Sequence, residues 1–216
     1  ERLSVDIGNM LHDTIDELVN TYHTAKDFDG FKLDLIRAFA FNPPMEAEEF
    51  MRKSADEVTN ELYHAAQKVY TAKKLGIATE ALPVLKNVWT ERGATVKNIS
   101  VPFTDGQRAL NIVTPLERSV ETGGASLMES FEKGITLAMI DEAWKEHLRE
   151  MDDLKQSVQG AVYEQKDPLL IYKFESFELF KGMISKLNRD IVSFLFKGTL
   201  PQQDPQTQMR AATPPP

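Results

Sequence analysis

Glu61 and His64 stand three positions apart, the Glu-x-x-His spacing that di-metal carboxylate bundles use to aim a carboxylate and an imidazole inward from one helix. Such sites need a second pair and two further glutamates, and only one pair is present, so a solvated helix face is the better reading. His12 and Asp16, four apart on a predicted helix, fit a surface hydrogen bond. Gly123-Gly124-Ala125-Ser126 lacks the lysine and the preceding strand of a phosphate-cradling loop, which argues against nucleotide binding by this chain. No Gly-x-Ser-x-Gly elbow prepares a serine nucleophile. The sequence holds no cysteine, hence no disulfide and no thiolate metal site. His147 lies beside an apolar stripe and reads as a packed or half-exposed interface residue rather than a catalyst. We therefore expect no catalytic residue, no metal ligand and no cofactor in this chain. A formal net charge of −8 argues against nonspecific nucleic-acid binding, for which a basic face is the usual footprint.

The elements around these residues are mostly helical. Leu3, Ile7, Met10, Leu11, Ile15, Leu18, Val19 and Tyr22 recur at helical spacing over 1–24, and Asp27, Asp29 and Gly30 break the pattern. A short helix carrying Phe31, Leu35, Ile36 and Phe39 is predicted to stop at Asn42-Pro43-Pro44. Residues 46–75 read as a longer helix closed by Gly76, followed by a separate one ending near Gly93. Period-two alternation around Asp105-Gly106 predicts a β-hairpin near 94–113. An isolated hairpin is only marginally stable, so it should pack on neighbouring helices. Thr114–Glu117 and Ser126–Glu129 both have the spacing of capping boxes, the second opening a helix that runs to about Val158. Its expected stripe is Leu127, Phe131, Ile135, Leu137, Ile140, Trp144, Leu148, Met151, Leu154 and Val158. Asp167-Pro168 then supplies a cap and first turn for a last helix striped by Phe174, Phe177, Phe180, Ile184, Leu187, Ile191 and Phe194. Two such helices joined by a short connection predict an antiparallel pair, the first roughly 30 residues or about 45 Å long. Residues 201–216, with five prolines and four glutamines and no periodicity, read as a disordered tail or linker. No apolar run approaches the ~20 residues of a membrane span, which predicts a soluble chain. No basic-then-apolar leader is seen, so no targeting peptide is expected, and a start in mid-pattern without a methionine reads as a piece of a longer protein.

The block Asp141-Glu142-Ala143-Trp144-Lys145-Glu146-His147-Leu148-Arg149-Glu150-Met151-Asp152 strongly resembles the helical scaffold of the SecA preprotein translocase family. The match continues in order through Leu154-Lys155-Gln156, Tyr163-Glu164-Gln165-Lys166-Asp167-Pro168 and Tyr172-Lys173-Phe174-Glu175-Ser176-Phe177. The resemblance implies a mainly α fold: a long antiparallel helical hairpin plus an inserted helical wing domain carrying a small β-hairpin. By position it assigns 1–25 to the end of a long scaffold helix, 26–117 to the wing and 118–200 to a two-helix finger. It implies that Tyr163 is the fingertip residue that touches preprotein, flanked by Gly160 and by Gln165, Lys166 and Asp167 at the re-entrant turn. Trp144, Lys145, His147, Leu148 and Met151 are implied to pack the first finger helix against the motor of the complete protein. Implied partners are the SecY channel complex, unfolded preprotein and the motor domains of the parent chain. ATP and Mg belong to the parent, which is placed in the bacterial cytoplasm, peripheral at the inner membrane. The β-hairpin resembles an extension found in some branches.

A tyrosine at a tip has its own physical logic, since a rigid amphipathic ring touches many chains without demanding one sequence. Two other classes remain open on the residues alone. One is a self-contained helical interaction module whose exposed stripe grips another helix. The other is a metal-dependent enzyme, for which no bound metal is expected.

Overall fold

The structure is a computed structural model that describes residues 2–158 and 167–201. Among the described residues the chain forms seven helices and one two-stranded antiparallel hairpin, mainly α as expected. Helix α1 (Arg2–Ala25) buries Ile7, Leu11, Ile15, Leu18 and Val19 along one stripe. Asp29 and Gly30, expected to break the helical pattern, lie inside α2 (Phe28–Phe39). The break falls one step earlier, where Lys26 has φ +54° and the Asp27 carboxylate caps the new helix by accepting from the Gly30 N–H at 2.9 Å.

The expected helix over 46–75 divides differently. Ala47–Arg52 forms the single-turn α3, and α4 runs unbroken from Ala55 to Arg92. Ser54 and Glu57 make the reciprocal capping box that starts α4. Gly76 does not end the helix: Ile77, Ala78, Ala81 and Leu85 directly after it are buried and hold that side of α4 in the core, while before it half-buried Tyr70 and buried Ala66 anchor the preceding turns. Pro83 also sits inside it; the carbonyl it leaves unbonded belongs to Thr79, an exposed residue that water can reach. Gly93 closes the helix, as the sequence indicates.

The hairpin comprises β1 (Asn98–Thr104) and β2 (Ala109–Pro115), offset from the expected 94–113. Its loop spans four residues, 105–108, with Gly106 at φ +89° and Asp105 Oδ1 accepting from the Gln107 and Arg108 N–H groups at 2.9 and 2.7 Å. Thr114 and Pro115 end β2, and α5 (Leu116–Glu121) starts directly after them with Pro115 in its N-cap position, so the helix is present but Thr114 forms no capping box. The Thr114 hydroxyl is buried and bonds the hydroxyls of Ser119 at 2.8 Å and Ser130 at 3.1 Å. On the other edge, Thr104 exchanges backbone bonds of 2.9 and 2.8 Å with Thr199. Strand geometry turns Pro102 to that same edge, and the antiparallel register sets Pro201 opposite it. Neither proline has an N–H to give, so pairing stops after one bridge.

Helix α5 leads to α6 (Ala125–Ser157), which pairs antiparallel with α7 (Pro168–Lys197). Ser126 is not the cap of α6. Gly124, at φ +92°, occupies that position, packed so tightly on α4 that a Cβ would lie 2.8 Å from that of Ala78. Two apolar clusters make the core. One joins α1, α2, α3 and the first half of α4 to Val192 and Phe196 of α7. The second joins the latter half of α4 to the hairpin, α5, α6 and α7 around Phe103, Phe131 and Phe194.

Candidate functional site: the outer α6–α7 pair

The seam between α6 and α7 advances in steps of four along α6, through Phe131, Ile135, Met139, Ala143 and His147. It faces Phe194, Ile191, Leu187 and Phe180 of α7. This corrects the expected stripe. Leu137, Ile140, Trp144 and Leu148 are exposed, Trp144 and Leu148 by 49% each, because a row stepping by four turns them onto the flank. On α7, Phe174, Phe177, Phe180 and Ile184 are exposed too, by 65%, 62%, 44% and 37%. Of the expected stripes, Phe131, Leu187, Ile191 and Phe194 are buried at the inner end, while Trp144, Leu148, Phe174 and Phe177 toward the outer end lie on the surface.

His147 occupies the buried position instead, packed edge-on to Phe180 at 5.8 Å between ring centroids and 5.7 Å from Trp144. Its Nδ1 has no hydrogen-bond partner and lies 3.9 Å from a Glu150 carboxylate oxygen. Lys145 is exposed and pairs with Asp141 at 2.5 Å, while Met151 is half-buried. The residues that the resemblance implies for packing on a motor differ in exposure here: His147 is buried and Met151 half-buried, Trp144 and Leu148 lie on the apolar flank, and Lys145 is in solvent. On the opposite side a charged groove of about 800 Å³ runs between the helices, its walls carrying Glu142, Glu146 and Glu150 from α6 and Glu175, Glu178 and Asp190 from α7. None of the exposed aromatics lines it.

Asp167 caps α7 as read from the sequence, its carboxylate accepting from the Leu169 N–H at 2.9 Å ahead of Pro168 in the first turn. Gly160, Tyr163, Gln165 and Lys166 lie outside the described residues.

The apparent metal pair resolves into structure. Glu61 is ion-paired with Lys53, which also binds Glu49 at 2.5 Å, and His64 is exposed. Lys53 holds the Glu49 carboxyl below its usual range, and its own ammonium is shifted up in return. His12 stands edge-on to Tyr63 at 5.5 Å. Among the described residues no cluster of His, Asp and Glu could hold a metal ion, and no helix is long and apolar enough to cross a membrane.

Sequence reading passed over two polar contacts. Glu132 is buried, yet accepts from Tyr70 Oη at 3.0 Å and from Lys74 Nζ at 2.7 Å, tying α4 to α6. Burial and the Glu132 charge push the Tyr70 phenol above its ordinary pKa. A carboxylate between Phe131 and Ile135 on a buried stripe was the available signal. Lys73 donates to the Phe196 carbonyl, and its partial burial lowers it to about 8.

A mainly α body with two core clusters, a paired helical extension and an apolar flank left exposed has the build of a helical scaffold domain. Over residues 1–199 the chain matches the family described as SecA Wing and Scaffold domain, and it belongs to that family. It is 52% identical over 201 residues to the protein translocase subunit SecA of Christiangramia forsetii, covering 93% of this chain and 18% of that protein. Against the same subunit of Flavobacterium psychrophilum it is 48% identical over 213 residues, covering 99% of this chain and 19% of that protein. Against that of Porphyromonas gingivalis W83 it is 45% identical over 208 residues, covering 96% and 19%. The chain spans under a fifth of the length of these relatives.

Proposed function

We propose that this chain is the scaffold and wing of an ATP-driven export motor that moves unfolded preproteins through the SecY channel. The observation that carries this reading is the open apolar flank of the α6–α7 pair in a chain spanning only 18% of a relative's length. Exposed contiguous apolar surface of this kind marks a contact face. The motor domains of the parent chain cover Trp144, Leu148 and Phe177, and bind ATP and Mg²⁺ themselves. The two rods act as a lever whose connection presents Tyr163 to preprotein and channel, with Gly160, Gln165, Lys166 and Asp167 shaping the turn. Residues 1–25 complete a scaffold helix, 26–117 form the wing and 118–200 the finger. Attachment to the bacterial inner membrane is peripheral, through the channel.

A photo-crosslinker replacing Tyr163 in the full-length translocase, engaged with a channel and a stalled preprotein, tests the tip. Crosslinks to preprotein are expected, and their absence while translocation proceeds removes the role. The open flank also fits an autonomous interaction module, which predicts that this chain alone captures a foreign helix with no requirement for motor domains.

A further inference from the structure

The β-hairpin crosses the inner end of the finger at the level where its dense packing stops. Beyond Met139 and Leu187 the only buried residue described on α6 is His147, with Ala143 and Met151 half-buried, and Gly182 faces open space. The outer halves of the rods therefore take their mutual angle from whatever holds their roots. We propose that the hairpin is a strap across those roots, with Arg108 as the positioning residue that sets the spread of the two helices.

The strap reaches both rods. Phe103 of β1 is fully buried with its ring 4.4 Å from that of Phe131 in α6, and Phe131 in turn lies 6.3 Å from Phe194 in α7. Thr104 is tied through its backbone to Thr199, two residues past the end of α7. Ile112 of β2 beds onto α6 where Gly134 provides the room, since a Cβ there would stand 2.7 Å from the isoleucine Cδ1. At the loop, the Arg108 guanidinium contacts Met139 Sδ at 2.9 Å and spans 3.8 Å to Glu142 on α6 and 3.8 Å to Asp190 on α7. A planar fork between carboxylates on two helices fixes separation in a way a flexible ammonium does not. Exposed ion pairs of this length are individually weak, so Arg108 works as a spacer rather than as a main stabiliser. The hairpin's own stability also requires this seat, because a lone two-stranded ribbon is marginal in water.

The inference is independent of the export function and is tested without it. The 216-residue chain has no cysteine, so Asp152→Cys and Glu175→Cys, both exposed on the outer rods, place spin labels without background. Electron–electron dipolar spectroscopy should give one narrow distance in the parent sequence. Arg108→Ala should lose that narrow peak to a broad distribution, and Arg108→Ala with Phe103→Leu should broaden it further, while Arg108→Lys restores it only in part. Arg118→Ala, which breaks a surface pair with Glu129 that does not span the rods, serves as control. A cooperative melt in each variant confirms folding. An unchanged distance in both Arg108→Ala variants, or equal broadening in the Arg118→Ala control, overturns the strap.

Discussion

Replacing phenylalanine by alanine at two positions of the same helical pair separates what the fold needs from what it holds in reserve. Phe131 is fully buried, with ring neighbours Phe103 and Phe194. Phe131→Ala removes the side chain and leaves a cavity that the surrounding rings fill only partly, at a cost of about 3–5 kcal/mol. Phe177 is 62% exposed, so only about two-fifths of its surface is shielded. Full burial of such a side chain contributes ~1.5–3 kcal/mol, which leaves about 1 kcal/mol or less for Phe177→Ala. Urea unfolding of the 216-residue chain reads both losses, and the ratio should be about threefold or more. In a full-length translocase the order should reverse: Phe177→Ala depresses export while the melting point barely moves. Equal losses of stability at the two positions would refute the reasoning, because they would mean that the flank packs within this chain and is not kept open for a partner.

Glu132→Ala strips Tyr70 and Lys74 of their shared acceptor and should cost about 2–3 kcal/mol in urea, with Glu132→Gln milder because its carbonyl still accepts from the phenol. Lys73 is held at about 8 in the fold and returns to 10.5 when unfolded, so the unfolded chain binds the extra proton in between. Stability should therefore rise with pH from about 8 toward 10, and Lys73→Met should flatten that rise in pH-dependent melts. Above the ordinary tyrosine range the raised Tyr70 works in the opposite sense, its contribution being lost as pH climbs. Gly76→Ala meets open space inside α4 and should stabilise by about 0.5–1 kcal/mol in urea. Ser54→Ala removes the hydroxyl that starts α4 and should cost about 1 kcal/mol, read as a lower thermal midpoint.

The sequence carries the helices more clearly than the surfaces they present. Val58, Leu62 and Ala66, or Ile7, Leu11 and Ile15, are spaced so that only a helix can bury them together, and they are buried. Local punctuation misleads where tertiary packing overrides it. Gly76 reads as a stop, but α4 continues through it because Ile77, Ala78 and Ala81 just beyond are anchored in the second core cluster. Ser126 has the spacing of a cap, yet the close approach of Gly124 to Ala78 decides where α6 begins. The outer pair is legible as two rods, but the stripe expected along α6 is not the row that α7 covers. Trp144 and Phe177 satisfy a helical period as well as His147 and Met139 do, and periodicity alone does not distinguish a face turned to a sister helix from one turned to something outside the chain. Tyr70, Glu132 and Lys74 meet across 58 to 62 positions of sequence, a separation at which no local pattern announces a contact.

The 38 residues of α4 are shared property. Its first half closes one cluster and its second half the other, with no cap or break between them. Neither half of the body can come apart without disturbing the beam that runs through both, so the region should behave as one cooperative block. A load applied along the rods would then shift that block as a unit instead of melting it piecemeal.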